Sequence, residues 1–363
     1  MKIRCAILQP EIPHYRQDFF RLLKDHCETM DLFVYNTCER TKKDGIHLVE
    51  TDCEYISNLD YRGKILLYNP FPLLSKKYNA IVLMLHFGHI TTWLILLFKF
   101  IHRKKIILWG QGISVKRYIK ESSHPDWKLK WQIAMADAVL LYQEPQANQW
   151  KRLFPKKSIV SLNNTISDVN EILKTSTAID KDCLRQKYSI SQPVIFIFCA
   201  RFENKYRRVD LLIETIEKLD SKKYGFIIIG SGKNKPDFSN YKNVYDFGAV
   251  YDRALKNELF SIADVYFQPG WVGLSIVEAM AYGKPVCTFV RSEETLQCVE
   301  YSYIEDGING YIFNDMDDCI EKITHTPLED MVKMGSNARK LVKDHLTPDK
   351  MAIKVYTVLE SFK

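Results

Sequence analysis

Short apolar runs alternate with helix-length stretches in two separate series along this chain, and that alternation limits the fold more than any other feature. The first series has strand-like runs at 3–8, 32–35, 81–85, 106–109 and 139–142, with a helix expected from about Arg16 to Lys24. The second has runs at 194–199, 224–229, 244–247, 265–268, 285–289 and 311–313. Runs without polar alternation, separated by helical segments, fit parallel strands joined by crossover helices. The text between the series is polar from Ser167 to Tyr188, which sets a boundary near 165–190. At 363 residues the chain is too long for one ordinary core and suits two domains.

One segment, 80–101, is apolar enough and long enough to raise a membrane span, which needs about 20 residues. His86-Phe87-Gly88-His89 interrupts it, so it reads as a strand, a loop and a buried helix with Thr91 as N-cap. The formal charge of +7 favours anionic partners without choosing among them. No nucleic-acid module accompanies that charge, so nucleic acid is not an expected partner. Nine cysteines without a CxxC pair or zinc spacing fit reduced thiols and a cytoplasmic chain.

In doubly wound folds, ligands meet the carboxyl ends of strands, where helix amides favour phosphate. Two polar segments are expected there. Around Gly270-Trp271-Val272-Gly273-Leu274-Ser275 a strand end, a glycine turn and a helix follow one another, closed by Gly283-Lys284-Pro285 and a further strand. Gly270 and Gly273 let backbone amides approach a ligand, amides near Leu274 and Ser275 suit a diphosphate or sugar hydroxyls, and Glu278 suits a ribose. After the run 194–199 come Arg201, Lys205 and Arg207, fixed positive charge of the kind a leaving diphosphate requires.

These segments resemble the donor-site signature of the family 4 (group 1) glycosyltransferases. In that signature two glutamates eight residues apart flank a Gly-Phe-Gly-like turn, followed by Glu-Ala-Met-Ala-x-Gly-x-Pro-Val. Glu278 matches the second glutamate, and Gly270 stands where the first would lie beside the donor sugar. Arg201 matches the family arginine. The family lysine falls on Arg207 or, with a short gap, on Lys205. Gly230 and Gly232 resemble the family's Gly-x-Gly turn, and the stretch from Phe247 is where the family places the base. The resemblance implies an α/β GT-B fold of two Rossmann-like, doubly wound parallel-sheet domains with a cleft between them. An acceptor-binding domain would span 1–168 and a nucleotide-sugar-binding domain 169–346, with a helix at 347–363 packing back on the first. It further implies retaining transfer from a nucleotide sugar to a glycan or lipid-linked acceptor, as in cell-surface polysaccharide synthesis, without cofactor or metal.

Cleft candidates in the N-terminal lobe are His14, His86 and His89, together with Gln111, which stands where relatives often carry histidine and can hydrogen-bond to the donor sugar but not exchange a proton. Asp315-Met316-Asp317-Asp318 imitates a metal-binding Asp-x-Asp but suits a helix cap better. Basic and aromatic residues interleave in 116–120 and 127–131, a pattern suited to a peripheral position on an anionic membrane surface or to a solvated helix face. Two rival readings stay open: a sugar-nucleotide epimerase, which needs acid and base groups, and a nucleotide-binding partner subunit without transfer activity, for which Gly270 argues.

Overall fold

The computed structural model describes residues 3–36, 53–175 and 180–362. The chain divides into one unit comprising Met1–Ser167 and Thr347–Lys363 and a second comprising Asp168–Leu346. Eight described cysteines are unbridged; Cys38 lies outside the described residues.

The strands of the first unit are β1 (Arg4–Gln9), β2 (Thr29–Val34), β3 (Cys53–Tyr55), β4 (Asn58–Tyr61), β5 (Ile65–Tyr68), β6 (Ala80–Met84), β7 (Lys105–Gly110), β8 (Ala138–Leu141) and β9 (Ser158–Ser161). Seven of them form a parallel sheet in the order β3-β2-β1-β6-β7-β8-β9. The central strands are buried on both faces, which is why they read as unbroken apolar runs. One face is covered by the helix Gln17–Asp25, through Phe19, Phe20 and Leu23, and by the C-terminal helix Pro348–Glu360, through Met351, Val355 and Leu359.

The 80–101 segment differs from its sequence reading in two respects. Its helix, Ile90–Leu97, begins before Thr91, whose hydroxyl instead bonds the Tyr68 backbone N–H and carbonyl, each at 2.9 Å. That exchange ties the helix to β5, part of an antiparallel β4–β5 hairpin that the period-based reading did not anticipate. Nor is the segment wholly buried: Ile90, Leu94, Leu97 and Ile101 form an exposed stripe, Ile101 at 66 %. No described helix is long and apolar enough to cross a membrane.

His89 ends the loop before this helix, buried beside the Tyr35 and His86 rings. Burial, helped by the neighbouring His86, lowers its pKa from 6.5 to about 4. The unfolded chain therefore takes up a proton near pH 6.5 that the folded unit refuses until about pH 4, so stability falls as pH drops through that window. By its lower edge the loss reaches roughly 3 kcal/mol. His89→Gln is expected to flatten the fall in urea midpoint between about pH 7 and about pH 4.5. Equal falls in both proteins would contradict this.

The second unit holds β10 (Val194–Cys199), β11 (Tyr224–Ile229), β12 (Val244–Asp246), β13 (Val265–Phe267), β14 (Val286–Phe289) and β15 (Gly310–Phe313). All pair in parallel, in the order β12-β11-β10-β13-β14-β15. Numbered within the unit this is 3-2-1-4-5-6, the doubly wound order in which connections reverse direction between the first and fourth strands. Phe196, Phe198, Phe226 and Phe267 fill one face of the sheet. Asp315 caps the helix Met316–His325 by accepting from the Asp318 N–H at 2.9 Å, the structural role expected of that acidic run.

Candidate functional site

The reversal point of the second sheet falls between β10 and β13, and the two motif segments are the loops that leave the carboxyl ends of those strands. The loop after β10 carries Arg201, exposed, then the single turn Lys205–Arg207. Within that turn the two candidate cations part company. Lys205 is exposed, whereas Arg207 is half-buried and turns inward, its Nη1 donating to the Trp271 carbonyl at 2.8 Å. Its Nε is buried without a partner. Burial pulls the guanidinium below the ordinary arginine range, and the Arg201 charge adds to this.

The loop after β13 is held by a buried carboxamide. Gln268 accepts from the Tyr266 hydroxyl (2.7 Å) and the Ser275 hydroxyl (3.0 Å) through Oε1, and donates to the Gly270 and Trp271 carbonyls (3.2 and 2.7 Å) through Nε2. The Tyr266 hydroxyl lies 3.0 Å from the Cys199 carbonyl, which ties the two strand ends together. Trp271 sits at φ 53°, a strained conformation for a non-glycine residue, and its ring stacks on Tyr206 with centroids 4.9 Å apart.

From that loop the helix Ser275–Ala281 brings in Glu278. Both of its carboxylate oxygens lie 2.7 Å from the Lys256 ammonium, carried by the neighbouring helix Arg253–Ile262. Burial pulls Lys256 down, and the carboxylate against it more than reverses this, leaving its pKa above the usual lysine value. Beneath them the Cys199 thiol, pushed up to about 11 by burial, feels the charges of Lys256, Glu278 and Arg207 together. A cation able to grip phosphate and a carboxylate able to accept from hydroxyls thus follow two neighbouring strand ends.

Gly270 explains why the carboxylate is missing there. A Cβ at this position would lie 2.5 Å from the Tyr206 carbonyl oxygen and 2.8 Å from Arg208 Cγ. The 205–208 turn occupies that space, so Gly270→Glu is expected to cost about 1–3 kcal/mol and to leave turnover unimproved. A rise in turnover with an unchanged melting temperature would overturn this. Gly230, at φ 148°, is required for a related reason: its Cβ would meet the Ala200 carbonyl oxygen at 2.0 Å. At Gly232 the Phe202 backbone is similarly close, so chain packing by itself accounts for the Gly-x-Gly turn. Gly273 is less crowded, its Cβ coming no nearer than 3.9 Å to Cys298 Sγ. Leu274 precedes the helix as its N-cap residue, and Phe247 follows β12, packed edge-on against Tyr188 at 5.4 Å.

Residues 193–326 match the family model described as glycosyl transferases group 1. This part of the second unit is similar to the group 1 glycosyltransferases. No curated protein matches the chain in sequence. Among solved structures, Anabaena HepE in complex with UDP superposes with a TM-score of 0.64 at 16% identity, covering 99% of this chain and 100% of HepE. A Rickettsia africae glycosyltransferase gives 0.60 at 15% identity over 99% and 98% of the two chains. The lipopolysaccharide outer core galactosyltransferase WaaB gives 0.63 at 12% over 99% and 100%. With its two parallel-sheet units, the chain has the GT-B fold of these glycosyltransferases.

The first unit gathers its polar positions at strand ends too. His14 follows β1, His86 follows β6 and Gln111 follows β7, all three exposed. His86 stacks on Phe87 at 5.3 Å, and its carbonyl accepts from Gln132 Nε2 at 3.2 Å. Sequence reading missed Lys256, because one lysine on an amphipathic helix carries no motif, and it missed the Gln268 and Tyr266 bracing, because both read as ordinary strand residues.

Proposed function

We propose that this chain is a retaining glycosyltransferase that takes a sugar from a nucleoside diphosphate held in the second unit. One observation carries the reading: Arg207 and Glu278 are carried by the segments that follow β10 and β13, the two strands at the sheet's reversal point, one suited to a departing diphosphate and the other to ribose hydroxyls. HepE, of the same fold, is known in complex with UDP and with UDP-glucose, which supports a nucleotide sugar as donor. Charge developing on the diphosphate as the glycosidic bond breaks is met by the guanidinium groups of Arg207 and Arg201, the interaction that most lowers such a barrier. These fixed cations can serve where other transferases use a divalent ion, so turnover should persist in chelator. The acceptor is a glycan or lipid-linked sugar of cell-surface polysaccharide synthesis. The test is nucleotide release from a panel of nucleotide sugars with and without such acceptors, the product's anomeric configuration being read by NMR. Release that depends on acceptor and retains configuration is expected; tight binding without turnover would favour a non-catalytic partner subunit, and an epimerised sugar would favour an epimerase.

A peripheral position on an anionic membrane is the second part of the reading, carried by the first unit's surface. The outer face of the β4–β5 hairpin pairs Leu59 with Leu67 and Tyr61 with Ile65, all exposed, around a tip bearing Arg62 and Lys64. β5 packs on the helix Ile90–Leu97 with its exposed apolar stripe, and that helix packs on Trp127–Met135, where Trp127 and Trp131 stand exposed beside Lys128 and Lys130. Apolar side chains bordered by cations suit an interface with anionic headgroups. The protein is expected to float with vesicles containing anionic lipid at low salt, and Leu94→Asp with Leu97→Asp should abolish this. Failure of the unaltered protein to float would contradict it.

A further inference from the structure

In the first unit, Arg16 presents a charge that no described carboxylate answers. It is 6 % exposed, at the start of the helix after β1. Its Nη2 donates to Asn164 Oδ1 at 2.5 Å, and its guanidinium carbon lies 5.2 Å from the centroid of Trp109 and 5.1 Å from that of Tyr142. All three partners are neutral, and no described carboxylate pairs with it. Nη1 is buried without a hydrogen-bond partner. The indole Nε1 of Trp109, 1 % exposed, and the Nε2 of Gln9, 5 % exposed, are orphaned too. Met84 pairs with Trp109, and continuing the β1–β6 register by two residues sets Gln9 level with Met84. Three buried donors, one of them charged, therefore stand on one face of the sheet near its carboxyl edge.

Buried polar groups are nearly always satisfied, and an uncompensated buried cation is a costly feature for a fold to keep. Water can fill a hydrogen bond but does not neutralise a charge. Aromatic rings against the guanidinium hold its planar fork in place, the arrangement that suits a bidentate oxyanion. We propose that Arg16, Trp109 and Gln9 form an oxyanion-binding subsite for a phosphoryl or carboxylate group. Assigning that group to the sugar acceptor rests on the transferase reading; the subsite itself does not.

The experiment follows the indole N–H resonance of Trp109 in the full-length protein, identified by its loss in Trp109→Phe, during titration with inorganic phosphate, with acetate, and with chloride at matched ionic strength. A saturable shift with phosphate or acetate, absent with chloride and absent in Arg16→Met, is expected, and the anion that acts tells phosphoryl from carboxylate. No saturable shift with either, or an undiminished shift in Arg16→Met, would overturn the proposal. Asn164→Asp gives a second arm that does not depend on the Met variant folding. By supplying the missing counter-charge it should raise the melting temperature and suppress the phosphate or acetate response; a lowered melting temperature with the response intact would overturn the proposal. UDP titration of the same samples reports on the donor reading separately, so each can fail without the other.

Discussion

Arg207→Met is expected to lower turnover at saturating donor by about 100- to 1,000-fold, the loss seen when one fixed donor to a developing negative charge is removed. The guanidinium is half-buried, spends Nη1 on the Trp271 carbonyl, and keeps Nε without a partner. Desolvation has already been imposed on it, so its attraction for a diphosphate is less weakened by water than that of a surface cation. Methionine keeps the apolar stem of the side chain and removes an unpaired charge, so the melting temperature should move little. Lys205→Met is the matched comparison. That side chain is exposed at the start of the same turn, where solvent screening makes a point charge worth little, and its loss should change turnover by no more than a few-fold. Steady-state kinetics on the two variants decide which basic residue serves the diphosphate. A large loss in Lys205→Met with none in Arg207→Met would reverse the assignment.

Glu278→Ala should cost both stability and nucleotide affinity, and the two losses can be separated. Its carboxylate is the counter-charge of Lys256, with both oxygens at 2.7 Å and side chains 14 % and 24 % exposed. Breaking a buried pair from one side costs about 3–5 kcal/mol, and the partial exposure here reduces that to roughly 2–3 kcal/mol. For a unit of this size the melting temperature would fall by roughly 5–10 °C. Glu278→Gln combined with Lys256→Met removes the charge from both sides and should recover most of the stability. Nucleotide affinity should stay low in that double variant if Glu278 serves the ribose as proposed, because its carboxylate is still missing. Affinity that returns along with stability would make Glu278 a purely structural partner of Lys256.

The two parallel sheets were legible because strands such as β7 and β10 are buried on both faces and so read as unbroken apolar runs. The β4–β5 hairpin was not, because β5 is apolar on both faces and β4, though it alternates, turns its apolar Leu59 and Tyr61 to the solvent side. In the second unit, Glu278 and Arg201 were visible through motif spacing. Spacing alone could not separate Lys205 from Arg207, since the difference is the direction in which one short turn points its side chains. Lys256 and Arg16 carry no local signature. Their significance comes from what faces them across the fold: for one a carboxylate more than twenty positions away, for the other a tryptophan ring and, among the described residues, no counter-charge.

Calorimetric titration of the full-length protein with UDP, ADP, GDP and dTDP tests the central claim most directly, repeated on Arg207→Met and on the Glu278→Gln, Lys256→Met double variant. Saturable binding of at least one nucleoside diphosphate to the unaltered protein is expected, weakened in both variants while their folds persist. A nucleotide that binds all three proteins equally, or none that binds the unaltered protein, would contradict it.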